Sequence, residues 1–239
     1  MRYFIIAGEK SGDLHGSNLI RELISNDPSS EIRCWGGDLM REAGGVVQMH
    51  YNQTAFMGFT DVLKNLGKIR SLMLLCREQI IEFNPDVLIL IDYPGFNLRI
   101  AEFAKLEHIP VFYYISPKLW AWNEKRVSKI KKYVDRMYII FPFEVDFYRK
   151  HNFQAYYYGN PLMDEIEKKM KHSPDKETLK QSLGLSERHV ISILAGSRKS
   201  EVVHILPKML EVISYFKEYQ FVIAGVENLS DKLYNSIIR

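Results

Sequence analysis

Residues 85–98 read PDVLILIDYPGFNL, and this stretch decides the fold. Pro85 breaks whatever precedes it. Val87-Leu88-Ile89-Leu90-Ile91 follows, five apolar residues in a row, mostly β-branched. A run that short, apolar on both faces, predicts a central strand of a parallel sheet. It stops at Asp92, and Tyr93-Pro94-Gly95 reads as a turn. A helix is expected to start near Phe96, with Asn97 in its first turn. A carboxylate thus stands where a buried strand ends and a loop opens, the edge at which open α/β sheets bind ligands. Turn chemistry alone also accounts for an acid there, so both readings of Asp92 stay open at this point.

The chain has 239 residues, 46% of them hydrophobic, enough for one large domain or two small ones. Its 32 basic and 29 acidic residues leave a net charge of +3. That mild excess does not argue for nucleic acid. Cys34 and Cys76 lie far apart without a C-x-x-C spacing, so neither a disulfide framework nor a zinc site is implied, and a reducing cytosol fits. The opening MRYFIIAGEK has five apolar residues before Gly8, too few for a signal peptide or a membrane span.

In chain order, Tyr3 to Ala7 is a strand that runs into GEKSGDLHG, residues 8–16, and then a helical pattern. This is the opening of a nucleotide-type βα unit. Its glycines match neither G-x-G-x-x-G nor the G-K-[ST] phosphate loop. They still allow backbone N–H groups to face a ligand, while Asp13 serves equally well as a helix N-cap. Ile32 to Trp35 and Val46 to Met49 read as further strands around a short helix, Leu39 to Ala43. From Phe56 to Phe83 the apolar residues step by threes and fours, which predicts one or two amphipathic helices. Packing on the sheet explains such a stripe. Its width, with Lys64, Lys68 and Arg70 at the rim, also suits a membrane surface or a lipid substrate.

Val111 to Ile115 is the next strand, followed by Ser116-Pro117-Lys118-Leu119-Trp120-Ala121-Trp122 and a basic helix. The two tryptophans either pack under the sheet edge or wall a pocket for a sugar or acyl chain. Met137 to Phe141 and Ala155 to Tyr158 are further strands, with Pro142-Phe143-Glu144 at a helix start between them. Around Lys168 to Lys180 the chain becomes highly charged with Ser173-Pro174 in its middle, which places the boundary between residues 1–168 and 169–239. The pattern then restarts: strand Val190 to Leu194, loop Ala195-Gly196-Ser197-Arg198, helix from Glu201, strand Phe221 to Ala224. Arg198 with loop N–H groups describes an anion site, and an Arg198–Glu201 pair describes a purely structural loop. Fewer residues follow the charged stretch than a doubly wound lobe needs, so the second lobe is expected to be partial.

The loops GEKSGDLHG, MGFTDVL, IDYPGFNL, ISPKLWAWNEKR, FPFE, GNPLMD and AGSRKSE, in this order, resemble the lipid-A-disaccharide synthases among the GT-B glycosyltransferases. The likeness runs the whole length, and SPKLWAW and GEKSGD carry most of it. Departures are Lys10, Gly95, Asn160 and Ala195, where the family more often has a small residue, a second acid, histidine and proline. The resemblance implies an acceptor-binding Rossmann-like lobe and a nucleotide-sugar lobe. It implies inverting transfer of 2,3-diacylglucosamine from UDP to the 6-hydroxyl of 2,3-diacylglucosamine 1-phosphate, releasing UDP and giving the β-1,6 precursor of lipid A. It further implies no metal or other cofactor, no nucleic acid, peripheral attachment to the inner face of the cytoplasmic membrane, and leaves a homodimer open. Family members usually continue further and carry more of the UDP-sugar site there.

On that resemblance Asp92 is the expected base, with Glu9 and Asp13 as alternatives. Gly196, Ser197, Arg198 and Glu201 are expected at the nucleotide diphosphate. Ser11, Gly12, Asn97, Ser116, Trp120, Trp122 and Arg126 are expected at the acceptor. Phe59, Val62, Leu63, Leu66, Ile69 and Leu72 are expected at acyl chains or membrane. Two alternatives remain: a fragment that binds acceptor lipid or membrane without transfer, and a UDP-sugar epimerase-like protein of the same fold.

Overall fold

The computed structural model describes residues 1–54, 66–122, 124–226 and 229–238. It divides into two compact units, Met1–Glu167 and Lys168–Arg239.

The first unit is built on seven strands: β1 (Arg2–Ala7), β2 (Glu31–Gly36), β3 (Val46–His50), β4 (Val87–Ile91), β5 (Val111–Tyr114), β6 (Arg136–Ile139) and β7 (Ala155–Tyr157). All neighbouring pairs are parallel, in the order β3-β2-β1-β4-β5-β6-β7. This is the Rossmann arrangement, and the chain reverses its winding direction between β1 and β4. The helices are α1 (Lys10–Asn26), α2 (Asp38–Glu42), α3 (Tyr51–Thr54), α4 (Leu66–Phe83), α5 (Pro94–Leu106), α6 (Leu119–Trp122), α7 (Val127–Tyr133), α8 (Phe143–Lys150) and α9 (Pro161–His172), whose last turns enter the second unit.

β4 is central because every one of its five residues is buried. Its side chains alternate between two cores. Leu88 and Leu90 join Phe4 and Ile6 against Cys76, Ile80 and Phe83 of α4 and Ile100 and Ala104 of α5. Ile89 and Ile91 join Ile5 and Ala7 against Ile20 of α1 and Met40 of α2. Each such aliphatic side chain contributes about 1.5–3 kcal/mol on burial, so this strand anchors both layers. On the α1 side, the sheet beyond β4 borders a cavity of about 660 Å³ lined by Phe112, Tyr114, Tyr138 and Tyr156.

α5 starts at Pro94, two residues earlier than the turn reading places it, because proline is preset for the first helical position and lacks an N–H to satisfy. α1 likewise starts early, at Lys10, so most of the glycine-rich stretch is helix rather than loop. Gly12 and Gly16 lie four apart on that helix. A Cβ on Gly12 would sit 3.1 Å from the Ala7 side chain, and one on Gly16 would strike the Met40 sulfur at 2.7 Å. The glycines serve close packing of helix on strand and helix.

The second unit contains α10 (Lys176–Ser182), β8 (Val190–Ile193), α11 (Lys199–Leu210), β9 (Gln220–Ile223) and α12 (Asp231–Ile238). β8 and β9 pair in parallel. Ile193, Ala195, Val202, Leu206 and Tyr234 form its core. Asp175 caps α10 by accepting the Thr178 N–H at 2.9 Å. Among the described residues no helix is long and apolar enough to cross a membrane.

Candidate active site

The loops after β1, β4 and β5 all leave the carboxyl edge of the sheet beside the reversal point, where such folds take ligands. They interlock. The Tyr93 ring covers Gly8 so closely that a Cβ there would lie 2.4 Å from the ring. Asp92 and Tyr93 are both left-handed, with φ of +43° and +48°, and Ile115 after β5 has φ of +63°. Non-glycine residues pay for that conformation, a β-branched one most of all. The surroundings enforce it. The Asn97 amide donates to the carbonyls of Asp92 (2.8 Å) and Ile91 (3.2 Å), and the Tyr113 hydroxyl donates to the Asp92 carbonyl at 2.5 Å.

The Asp92 side chain opens onto a cavity of about 300 Å³ shared with Pro94, Ser116, Lys118, Arg126 and Phe141. Burial, reinforced by the negative charge of Glu9, pushes the Asp92 carboxyl up to about 6. The Tyr93 N–H and the Lys118 ammonium pull the other way and lose. A carboxylate in that range still ionises at neutral pH yet holds a proton well, which suits a general base.

The other expected residues divide into groups. Glu9 precedes α1 and accepts the Ser11 hydroxyl at 2.7 Å, so these two are tied at the loop. Asp13, expected as an alternative base or as the N-cap of its own helix, lies inside α1, whose N-cap is Glu9, and anchors another helix. It is buried inside α1 and accepts the N–H groups of Gly37 (2.7 Å), Met40 (3.1 Å) and Leu39 (3.2 Å) at the start of α2. Those donors would be orphaned at a helix N-terminus, and the carboxylate meets three of them. Gly12 is buried against Ala7, and Asn97 is fully buried beneath the Asp92 loop. Both support the site from behind rather than facing it.

Ser116 is buried at the cavity wall and Trp120 is 39% exposed, set edge-on to Phe143 at 5.0 Å. Trp120 therefore does not pack under the sheet edge. Trp122 closes α6, and its side chain lies outside the described residues, as do Phe59, Val62, Leu63 and the side chain of Leu66. Ile69 and Leu72 are partly buried against the main core, which is the plain packing role of an amphipathic helix. The sequence reading missed Glu144 as a site element: it is buried, and it accepts the Ser116 hydroxyl at 2.5 Å and the Phe141 N–H at 3.1 Å.

In the second unit, the expected anion loop holds an anion of its own. Glu201 accepts the N–H groups of Ser197 (3.0 Å) and Arg198 (3.1 Å) and pairs with the Arg198 guanidinium at 3.2 Å. Those N–H groups and Arg198 hold the Glu201 carboxyl below the usual carboxylate value. Gly196, with φ of +106°, is required here, since a Cβ would meet the Glu201 carboxylate at 2.6 Å.

Comparison with known proteins agrees with the resemblance. The chain is 39% identical over 235 residues to the lipid-A-disaccharide synthase of Trichlorobacter lovleyi, covering 96% of this chain and 60% of that protein. It is 36% identical over 234 residues to the synthase of Coxiella burnetii, covering 96% and 61%. The chain thus spans about 60% of the length of these curated relatives. Among solved structures it is similar to UDP-GlcNAc 2-epimerase from Neisseria meningitidis bound to UDP-GlcNAc, with a TM-score of 0.65 at 16% identity over 100% of this chain and 68% of that one. The Methanocaldococcus jannaschii UDP-GlcNAc 2-epimerase in complex with UDP-GlcNAc and UDP gives 0.65 at 13% identity, covering 99% and 69%. At such identities the likeness is one of fold, which is α/β of the GT-B type. The family model described as lipid-A-disaccharide synthetase matches residues 3–238, and the chain belongs to that family.

Proposed function

We propose that this chain carries the acceptor-binding and proton-abstracting part of an inverting glycosyltransferase. The enzyme joins UDP-2,3-diacylglucosamine to 2,3-diacylglucosamine 1-phosphate, forming the β-1,6 lipid A disaccharide precursor and releasing UDP. The observation that carries the reading is Asp92, a partly desolvated carboxylate in a cavity at the reversal point of the sheet. Asp92 takes the proton of the acceptor 6-hydroxyl as its oxygen attacks the anomeric carbon of the donor sugar. The bond from that carbon to the diphosphate breaks on the opposite face, which inverts the centre. Glu9 keeps the Asp92 proton affinity high and, with Ser11, is placed to bind acceptor hydroxyls.

Negative charge builds on the departing diphosphate. Arg198 and the N–H groups of Gly196 and Ser197 are assigned to it, by the general preference of such loops for phosphate. The substrates carry acyl chains, so peripheral association with the inner face of the cytoplasmic membrane belongs to the same proposal. α4 offers the exposed Leu74 and Ile81 toward such a surface.

A second reading is favoured by Glu201, which occupies two of the groups assigned to the diphosphate, the Ser197 N–H and the Arg198 guanidinium, and the Arg198 N–H besides. In it the chain binds acceptor without transferring sugar. Turnover separates the two. The chain is mixed with both substrates in detergent with a chelator, and the disaccharide is sought by mass spectrometry beside Asp92→Asn and Arg198→Ala. Product from the unaltered chain and almost none from either variant supports the transferase. Undiminished product from Asp92→Asn removes Asp92 as the base. Acceptor binding without product selects the second reading.

A further inference from the structure

We propose that the cavity of about 660 Å³ on the α1 side of the sheet binds an organic cation, a free small molecule whose alkylated ammonium lies on a floor of tyrosine rings beside Asp164. The site is distinct from the Asp92 cavity, with which it shares no lining residue. Strand alternation creates the floor. Met137 and Ile139 of β6 are buried in the main core, so Tyr138 between them faces the other layer. In that layer α1 and α2 pack on β1, β2 and β4. Tyr138 of β6 and Tyr156 of β7 lie beyond them and stay half-buried.

The rings form one continuous platform. The Tyr138 ring lies 5.9 Å from Tyr156 and 6.3 Å from Tyr158, and Tyr156 and Tyr158 are parallel to within 2° at 6.4 Å between centroids. Phe112 extends the platform at 6.1 Å from Tyr138. The face of an aromatic ring is its negative side, and a cation above it is attracted, the more so where water is partly excluded. The chain already uses one ring in this way: the Arg136 guanidinium lies over Phe112 at 5.5 Å from the centroid. That charge leaves Tyr138, Tyr156 and Tyr158 as the part of the platform for a ligand cation.

The charge of the wall has the matching sign. Among the described lining residues Asp164 carries the one formal charge, and none is Lys, Arg or His. Asp164 also makes no ion pair among the described residues, whereas Asp27, Asp38, Asp135 and Asp146 each do. Burial, reinforced by the Asp164 charge, pushes the Tyr114 hydroxyl up to about 12. The carboxylate is therefore felt at the cavity floor, and Tyr114 stays neutral. Leu19 and Leu23 of α1 supply an apolar side wall. An anion meets only an acid and ring faces here, and a neutral apolar molecule leaves both unused. A cation with an apolar body uses the rings, the acid and the wall together. The volume lies in the middle of the range for small-molecule sites.

Titration of the full chain with choline, followed by NMR, tests this beside the neutral isostere of choline, in which a tert-butyl group replaces the trimethylammonium. Shape and apolar area are then equal and only the charge differs. Choline should bind about tenfold tighter, the scale of a cation on partly desolvated rings. Asp164→Asn and Tyr158→Leu change exposed residues, and melting curves confirm that these variants and Tyr156→Leu fold. Each should remove most of the preference for choline and leave binding of the isostere as it was. Tyr156→Phe keeps a ring face and should keep most of the preference. Equal binding of choline and its isostere, or a preference that survives all three of the Asn and Leu variants, overturns the site. Vesicles of phosphatidylcholine and of phosphatidylglycerol form the last arm. Capture of the phosphatidylcholine vesicles through Tyr156 and Asp164, with no binding of free choline, overturns a free small molecule as the ligand. Because the readout is binding, the result stands apart from whether the chain transfers sugar.

Discussion

The Ser116 hydroxyl donates to the buried carboxylate of Glu144 at 2.5 Å, tying the loop after β5 to the first turn of α8. The other Glu144 oxygen takes the Phe141 N–H. The pair stands directly behind the cavity and follows Ile115, whose left-handed backbone needs an external hold. Glu144→Ala leaves a buried hydroxyl and a partly buried N–H without their acceptors. The expected loss is about 2–4 kcal/mol in urea unfolding. Glu144→Gln keeps an acceptor oxygen of the same reach and should lose clearly less. Equal losses for the two variants would show that the hydrogen bonds are not what matters at this position.

Asp92 is expected to weaken the fold it serves. Its carboxyl has an ordinary value of 3.8 and sits at about 6 in the folded chain. Between those values the folded state binds more protons than the unfolded one, so the Asp92 contribution falls as pH rises from about 4 to 6. Above that range the ionised group costs the fold at most about 3 kcal/mol, less whatever solvent relieves. Asp92→Asn removes the charge, and asparagine tolerates the left-handed backbone. The variant should therefore be more stable than the parent at pH 7.5 and no more stable at pH 3.5, read by chemical denaturation at both values. If Asp92 is the base, sugar transfer by the parent should also rise through about pH 6.

The sequence was legible where a single element decides the matter. Five apolar residues ending on an acid can hardly be anything but a buried strand with a polar edge, and Asp92 lies at that edge. It was less legible where glycine has two meanings. GEKSGDLHG reads as a loop by composition, yet Gly12 and Gly16 are there because the helix they belong to touches Ala7 and Met40. That shift buried Asp13 and turned it toward α2, a contact made across 24 or more residues that no local pattern announces. Glu144 was hidden for the same reason, since Ser116 lies 28 residues away. The strain at Asp92, Tyr93 and Ile115 was invisible because none of them is glycine.

The contact between Gly8 and Tyr93 joins the first and fourth loops, and it leaves no room for a methyl group. Gly8→Ala should drive the Tyr93 ring out of its place and cost about 1–3 kcal/mol, the range for overpacked sites. It should also weaken acceptor binding, because Asp92 adjoins Tyr93. Tyr93→Ala clears the space, so adding Gly8→Ala to it should cost much less than it does alone. Unfolding and binding measured across the double-mutant cycle test the coupling. Additive effects would mean that the two loops relax independently.

Glu201 acts as a latch on the Arg198 loop. It takes two backbone N–H groups and the guanidinium, and these partners hold its carboxyl below the ordinary value of 4.5. The stabilisation is complete above that value and is lost as pH falls through the lowered one. At neutral pH Glu201→Ala should speed amide hydrogen exchange at Ser197 and Arg198 by roughly tenfold or more, while Glu201→Gln should change it far less. Pyrophosphate added to Glu201→Ala should slow that exchange again, because a diphosphate can take the N–H groups the carboxylate has released. Exchange that stays fast with pyrophosphate present would mean that the loop binds no diphosphate, and Arg198 would then lose its assigned role.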